Sequence, residues 1–246
     1  MKNESKKTRW LLFTVFVVFG LSAGIFWYLH DVYQSDVSVQ EFMQKSEAVT
    51  IMEIKDGLFL DGPGKDTAMI FYPGARVGYE AYLPLLHSLS EKGLDCFLVK
   101  MPYHLAVFGK KKAGSLMQSY SYDHWYLSGH SLGGAMAASY ASGHLEELDG
   151  LILLAAYPTK PLQADTFSVL SVYGSEDGVL NMEKLESGRA WMPDAYEELC
   201  IEGGNHAQFG NYGEQKNDHP ATISRSRQQD ETAAAILNMI QQTTKK

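Results

Sequence analysis

Residues 123–142 read DHWYLSGHSLGGAMAASYAS, and the hexapeptide Gly129-His130-Ser131-Leu132-Gly133-Gly134 inside this stretch decides the reading of the fold. The run DHWYLS at 123–128 predicts a strand, and the small-residue run from Leu132 to Ser142, stopped by Gly143, predicts a helix. Ser131 stands between them in the pattern G-x-S-x-G, which marks a tight strand-to-helix turn that holds a serine hydroxyl up to solvent. Chance gives about 0.16 matches to so short a pattern in a chain of this composition, so the surrounding residues must decide between a nucleophile and a helix N-cap. Glycines two residues to either side leave the turn free of side chains, and Gly134 lets the helix pack close to its neighbours. The helix N-terminus also points backbone N–H groups toward developing negative charge.

On both sides of this stretch, strand and helix signals alternate. AVTIMEI (48–54) and LFLDG (58–62) flank Lys55-Asp56-Gly57, a hairpin signal. TAMIFY (67–72) is a continuous apolar run, as expected of a strand covered on both faces. A helical pattern from Tyr79 to Lys92 places Tyr82, Leu85, Leu86 and Leu89 on one face and stops at Gly93. LDCFLVK (94–100), LDGLILLAAY (148–157), TFSVLSVYG (166–174) and YEELCIEGG (196–204) read as further strands. Residues 104–119 read as helix and loop, and residues 179–190 and 226–242 as helices. An antiparallel start followed by six strands, alternating mostly with helices, predicts an α/β chain with a mainly parallel eight-stranded sheet and helices on both faces.

The N-terminus has a different character. Trp10 to Leu29 is a run of twenty residues without a charge, and a helix of that length rises about 30 Å, enough to cross a bilayer core. Lys2, Lys6, Lys7 and Arg9 precede it, whereas Asp31, Asp36 and Glu41 follow it. That asymmetry predicts a signal anchor with a cytoplasmic N-terminus (1–9), a single-pass transmembrane helix (10–29), a stalk (30–46) and an extracytoplasmic domain (47–246). Secretion after signal cleavage is the alternative, but the apolar run is longer than a signal peptide needs.

In open parallel sheets, reactive groups gather at the carboxyl ends of strands. SVYGSEDGVL places Glu176 and Asp177 just after the seventh predicted strand, and CIEGGNHAQFG places His206 just after the eighth. A serine hydroxyl needs a base, and the base needs an orienting acid, so the chain order Ser, Asp or Glu, His is the informative one.

GHSLGG, GSEDG and GGNHAQFG, each after its strand, resemble the α/β-hydrolase fold superfamily, and more narrowly its small, cap-less, dienelactone-hydrolase-like members. The resemblance covers roughly residues 48–242. It implies Ser131 as nucleophile, His206 as general base and acid, and Asp177 as the carboxylate on the imidazole. It also implies an oxyanion hole from the N–H of Leu132 and one from the loop Tyr72-Pro73-Gly74-Ala75-Arg76, where Pro73-Gly74 replaces a common His-Gly and Ala75 is the expected donor. True dienelactone hydrolases use cysteine as nucleophile, so their substrate does not carry over.

Together these features imply a membrane-anchored serine hydrolase acting on a carboxylic ester or related acyl bond of a small-molecule substrate. An acyltransferase using the same acyl-enzyme, or a non-catalytic binding protein on a hydrolase fold, are the alternatives. The segment 158–165 is too short for a cap, so an open site is expected. His130 is expected to be structural, while Tyr103-His104, Gln208 and Tyr212 are expected near the site. Cys96 and Cys200 are expected to be buried thiols. Lys110-Lys111-Lys112 reads as a solvated loop. With net charge −8 and no basic patch, nucleic acid is not an expected partner. No metal-ligand spacing, G-x-G-x-x-G or P-loop occurs, so no metal or nucleotide cofactor is expected.

Overall fold

The computed structural model describes residues 2–43 and 48–244, and the chain divides into two units, Met1–Val32 and Tyr33–Lys246. The first unit is a helix, α1 (Lys2–His30). Its segment Lys6–Phe26 is long and apolar enough to cross a membrane, and none of it is buried.

In the second unit the sequence pattern becomes one eight-stranded sheet. β1 (Thr50–Ile54) and β2 (Gly57–Asp61) form the antiparallel hairpin, with Lys55-Asp56 as its turn and Gly57 already in the strand. β3 (Thr67–Tyr72), β4 (Asp95–Val99), β5 (His124–His130), β6 (Gly150–Leu154), β7 (Ser168–Gly174) and β8 (Ala195–Ile201) follow. The order is β1-β2-β4-β3-β5-β6-β7-β8, with parallel pairing throughout from β4 to β8.

Period-two alternation divides the core. Met69 and Phe71 of β3 join Leu98, Ile152, Leu170 and Val172 under α2 (Leu83–Glu91) and α6 (Arg225–Thr243). Ala68, Ile70 and Tyr72 join Phe97, Leu127, Leu151 and Val169 under α3 (Lys112–Ser119) and α4 (Leu132–Ala141). Central strands are therefore apolar on both faces, and each fully buried large side chain contributes about 1.5–3 kcal/mol of burial. A further α-helix, α5 (Met182–Gly188), follows β7.

Three expectations change. The predicted 79–92 helix opens as a 3-10 turn over Tyr79–Tyr82 and becomes α-helical only from Leu83, with Pro84 in its first turn. Cys96 is buried on β4, where burial pushes its thiol up to about 12, but Cys200 is exposed because β8 is an edge strand. Much of the expected stalk packs on the domain. Tyr33 pairs with Val77, Val39 is buried, and Phe42 meets His87 edge-on. Residues 44–46 of the expected stalk and residue 47 of the expected domain lie outside the described residues, as do the chain ends at Met1, Lys245 and Lys246.

Candidate active site

Ser131 occupies the turn from β5 into α4 with φ 54° and ψ −123°, a conformation that costs a non-glycine residue energy and marks functional turns. The turn is tight enough to demand its glycines. A Cβ on Gly129 would lie 2.6 Å from the Gly133 carbonyl carbon, and one on Gly133 would lie 2.2 Å from the Tyr72 oxygen. The Ser131 N–H donates to the Leu154 oxygen at 2.9 Å, and the side chain makes no capping hydrogen bond. The helix-cap reading of the hydroxyl therefore fails, and the hydroxyl is left for other chemistry.

Asp177 and His206 come from the loops after β7 and β8. His206 Nδ1 lies 2.8 Å from Asp177 Oδ2. The other carboxylate oxygen accepts the N–H of Val179 at 2.8 Å and of Leu180 at 2.7 Å, so the carboxylate is fixed from both sides. Glu176, the alternative acid, is placed by its N–H on the Gly204 oxygen, and the histidine partner is Asp177. His206 Nε2 is buried and has no hydrogen-bond partner among the described residues. His206 and Ser131 line one cavity of about 240 Å³, together with Leu132 and an apolar wall that includes Ala135, Ala155, Val179 and Leu180.

The loop after β3 is tied on either side of Ala75. The Gly74 N–H donates to Tyr82 Oη at 3.0 Å, and the Arg76 N–H to the His104 oxygen at 2.9 Å. The Ala75 N–H and the Leu132 N–H at the start of α4 make no hydrogen bond among the described residues. Both sequence-selected amides are thus available as donors.

His130 is fully buried beneath this site, with Nδ1 2.8 Å from Tyr82 Oη and its ring 4.6 Å from that of His206. Tyr82 Oη already accepts from Gly74, so its proton is best placed on His130 Nδ1, and the imidazole hydrogen then sits on Nε2. Burial, reinforced by His206 nearby, pushes His130 well below the ordinary histidine range, so it is a neutral ring. Its expected structural role agrees with this.

Three residues that frame the site carry no sequence motif. Asp218 accepts the N–H of Gly178 at 3.1 Å, of His206 at 3.3 Å and of Ala207 at 2.9 Å, stapling the acid loop to the histidine loop. Gln228 of α6 is buried and pairs through its side chain with both the N–H and the oxygen of Asn205. Tyr82 is the third. Only the helical stripe marked it, and that stripe reads simply as core.

Among the flanking residues expected near the site, His104 has its Nδ1 3.3 Å from the Val77 oxygen, and Tyr103 is exposed. Tyr212 is buried against Tyr33, Tyr82 and His130, and Gln208 Nε2 reaches the Ile223 oxygen. The β6–β7 connection contains no helix, so no cap covers the sheet there.

A family model described as the alpha/beta hydrolase family matches residues 68–230. Comparison with curated protein sequences finds no match. Among solved structures, a membrane phospholipase A described as a bacterial virulence factor is similar with a TM-score of 0.60 at 12% identity, over 95% of this chain and 98% of that one. Est1E from Butyrivibrio proteoclasticus is similar with a TM-score of 0.56 at 14% identity, over 79% of this chain and 99% of that one. TT1662 from Thermus thermophilus gives 0.56 at 13% identity, over 78% and 98%. At such identities these likenesses speak to the fold. With two thirds of its length matched by the family model, the chain belongs to the alpha/beta hydrolase family.

Proposed function

We propose that this chain is a serine hydrolase, held to a membrane by α1, that cleaves a carboxylic ester through an acyl-enzyme. The observation that carries the reading is the His206–Asp177 contact at 2.8 Å beside the strained turn of Ser131, with serine and histidine on one cavity.

In this mechanism Ser131 Oγ attacks the acyl carbonyl carbon while His206 Nε2 takes its proton. Asp177 holds the proton on Nδ1 and stabilises the imidazolium. The N–H groups of Leu132 and Ala75 receive the oxyanion of the tetrahedral intermediate. Collapse of that intermediate expels the alcohol, which takes the proton from His206. Water, deprotonated by the same nitrogen, then attacks the acyl-serine and releases the acid.

The cavity beside Ser131 is small and its walls are largely apolar, which suits a short acyl group with the alcohol portion left outside. The Lys and Arg residues in the first turns of α1, ahead of its apolar run, support a cytoplasmic N-terminus and an extracytoplasmic domain. The likeness to a protein named as a membrane phospholipase A is consistent with an ester of lipid character.

A panel of acyl esters, thioesters and amides tests the reading on the full chain in detergent. Short-chain esters are expected to be the best substrates, and Ser131→Ala is expected to abolish turnover. Amide or thioester preference would reassign the bond cleaved, and activity that survives Ser131→Ala would remove the nucleophile.

A further inference from the structure

The turn after β4 presents apolar side chains that the hydrolytic chemistry does not use. Tyr103 is 62% exposed, Val107 47% and Phe108 63%. The Tyr103 and Phe108 rings meet edge to face at 5.8 Å and form one ridge. The backbone beneath is ordered. The His104 N–H donates to the Met101 oxygen at 3.1 Å, that of Leu105 to Pro102 at 3.0 Å, and that of Phe108 to Leu105 at 3.1 Å. Tyr103 and His104 both have φ 54°, a left-handed conformation that bulky residues adopt only when their surroundings impose it. A strained, hydrogen-bonded turn that holds aromatic rings in water has the character of a contact surface.

The charges beside it point to the kind of partner. Lys110 and Lys111 follow the ridge after Gly109 and share a basin of about 380 Å³ with Lys160 and His144. Lys112 is neutralised by Asp56 at 2.7 Å, whereas Lys110 donates only to the uncharged Ser139 hydroxyl at 3.2 Å and keeps its charge. A cluster of three ammonium groups is a local reversal of sign in a chain of net charge −8. Aromatic and aliphatic side chains flanked by lysines match a bilayer interface, where rings sit at headgroup depth and ammonium groups meet anionic lipid. A segment able to span a bilayer in the same chain would keep such a surface at high local concentration.

We propose that Tyr103, Val107 and Phe108, with Lys110, Lys111 and Lys160 beside them, dock the hydrolase domain on an anionic lipid surface. The ridge is continuous with the site, since His104 is hydrogen-bonded to Arg76 in the loop that carries Ala75. Docking would therefore bring the oxyanion loop to the lipid. The proposal rests on the reading of α1 as a membrane anchor and does not require turnover at Ser131.

The test places an environment-sensitive fluorophore at Phe108→Cys, in a Cys200→Ser background, on the full chain reconstituted into vesicles. Cys96 is buried and stays unlabelled. Lys65→Cys, whose native side chain is 75% exposed, serves as the control position. In phosphatidylcholine vesicles holding about a third phosphatidylglycerol, lipids spin-labelled on their acyl chains are expected to quench the label at 108 about threefold more than at 65. Replacing the anionic lipid by phosphatidylcholine, or introducing Lys111→Glu with Lys160→Glu, is expected to reduce that difference. Equal quenching at 108 and 65 would overturn the docking surface, and a difference indifferent to lipid charge would overturn the role of the lysines. A chain that fails to float with vesicles after an alkaline wash would overturn the anchor and the proposal with it. A catalytically silent Ser131 would overturn the hydrolase reading and leave the quenching result standing.

Discussion

His206 Nδ1 and Asp177 Oδ2 lie 2.8 Å apart, and both side chains are 1% exposed. The second oxygen of Asp177 is spent on the N–H groups of Val179 and Leu180, so only one oxygen faces the imidazole. Asp177→Asn is expected to keep those two N–H bonds through its amide oxygen and to aim its NH₂ at His206 Nδ1. That forces the proton onto Nε2, where it blocks the serine. Turnover should fall about ten-thousandfold with little change in thermal stability. Steady-state kinetics and thermal melts on the same preparation check this, and a fall below about tenfold would remove Asp177 from the mechanism.

Tyr82 joins the oxyanion loop to the buried His130. Its hydroxyl takes the Gly74 N–H and faces His130 Nδ1, so Tyr82→Phe leaves two buried polar groups unpaired. A stability loss of about 1–3 kcal/mol is expected. Loosening of the Ala75 amide should also lower kcat about tenfold while KM stays near its wild-type value. Denaturant unfolding and ester kinetics separate the two effects. A change confined to KM would show that this loop serves binding instead.

Asp218 gathers N–H groups from the acid loop and from the histidine loop. Asp218→Ala strips the acceptor from all of them, with an expected loss of about 3 kcal/mol and a melting point about 10 °C lower. Asp218→Asn keeps one oxygen and should fall between the two proteins. An alanine variant as stable as wild type would show that water replaces this clamp without cost.

His130 gives the fold a pH dependence. Its folded-state pKa is depressed by burial, with His206 adding to the effect, while the unfolded chain protonates near 6.5. Below that pH the unfolded state binds the proton and the native state does not, so stability rises with pH and falls on acidification. One such group contributes a slope of up to about 1.4 kcal/mol per pH unit, beginning below pH 6.5 and ending at the folded-state value. In His130→Asn the decline just below pH 6.5 should be shallower. Equal slopes in the two proteins would place the titration elsewhere.

Local chemistry explains which parts of this molecule are readable in advance. The Ser131 turn announces itself because a close backbone approach admits only glycine at 129 and 133, and the order of Asp177 and His206 follows from their position just past the last two strands. Apolar runs at β3, β4 and β6 mark strands covered on both faces. Asp218 and Gln228 are invisible in the same text, because their work is to hydrogen-bond backbone groups of loops that only the folded chain brings near. The stretch Tyr33–Met43 reads as a stalk, yet a few residues suffice to seat it: Tyr33 on Val77, Val39 in the core and Phe42 on His87. Cys200 reads as buried because strand periodicity does not say which strand lies at the sheet edge.

Covalent capture tests whether Ser131 is the nucleophile. The full chain in detergent is treated with a fluorophosphonate, digested, and the modified peptide located by mass spectrometry. One adduct is expected, on Ser131, absent from Ser131→Ala and strongly slowed in Asp177→Asn. An adduct on another residue, or no adduct while a control serine hydrolase is labelled in the same tube, would contradict it.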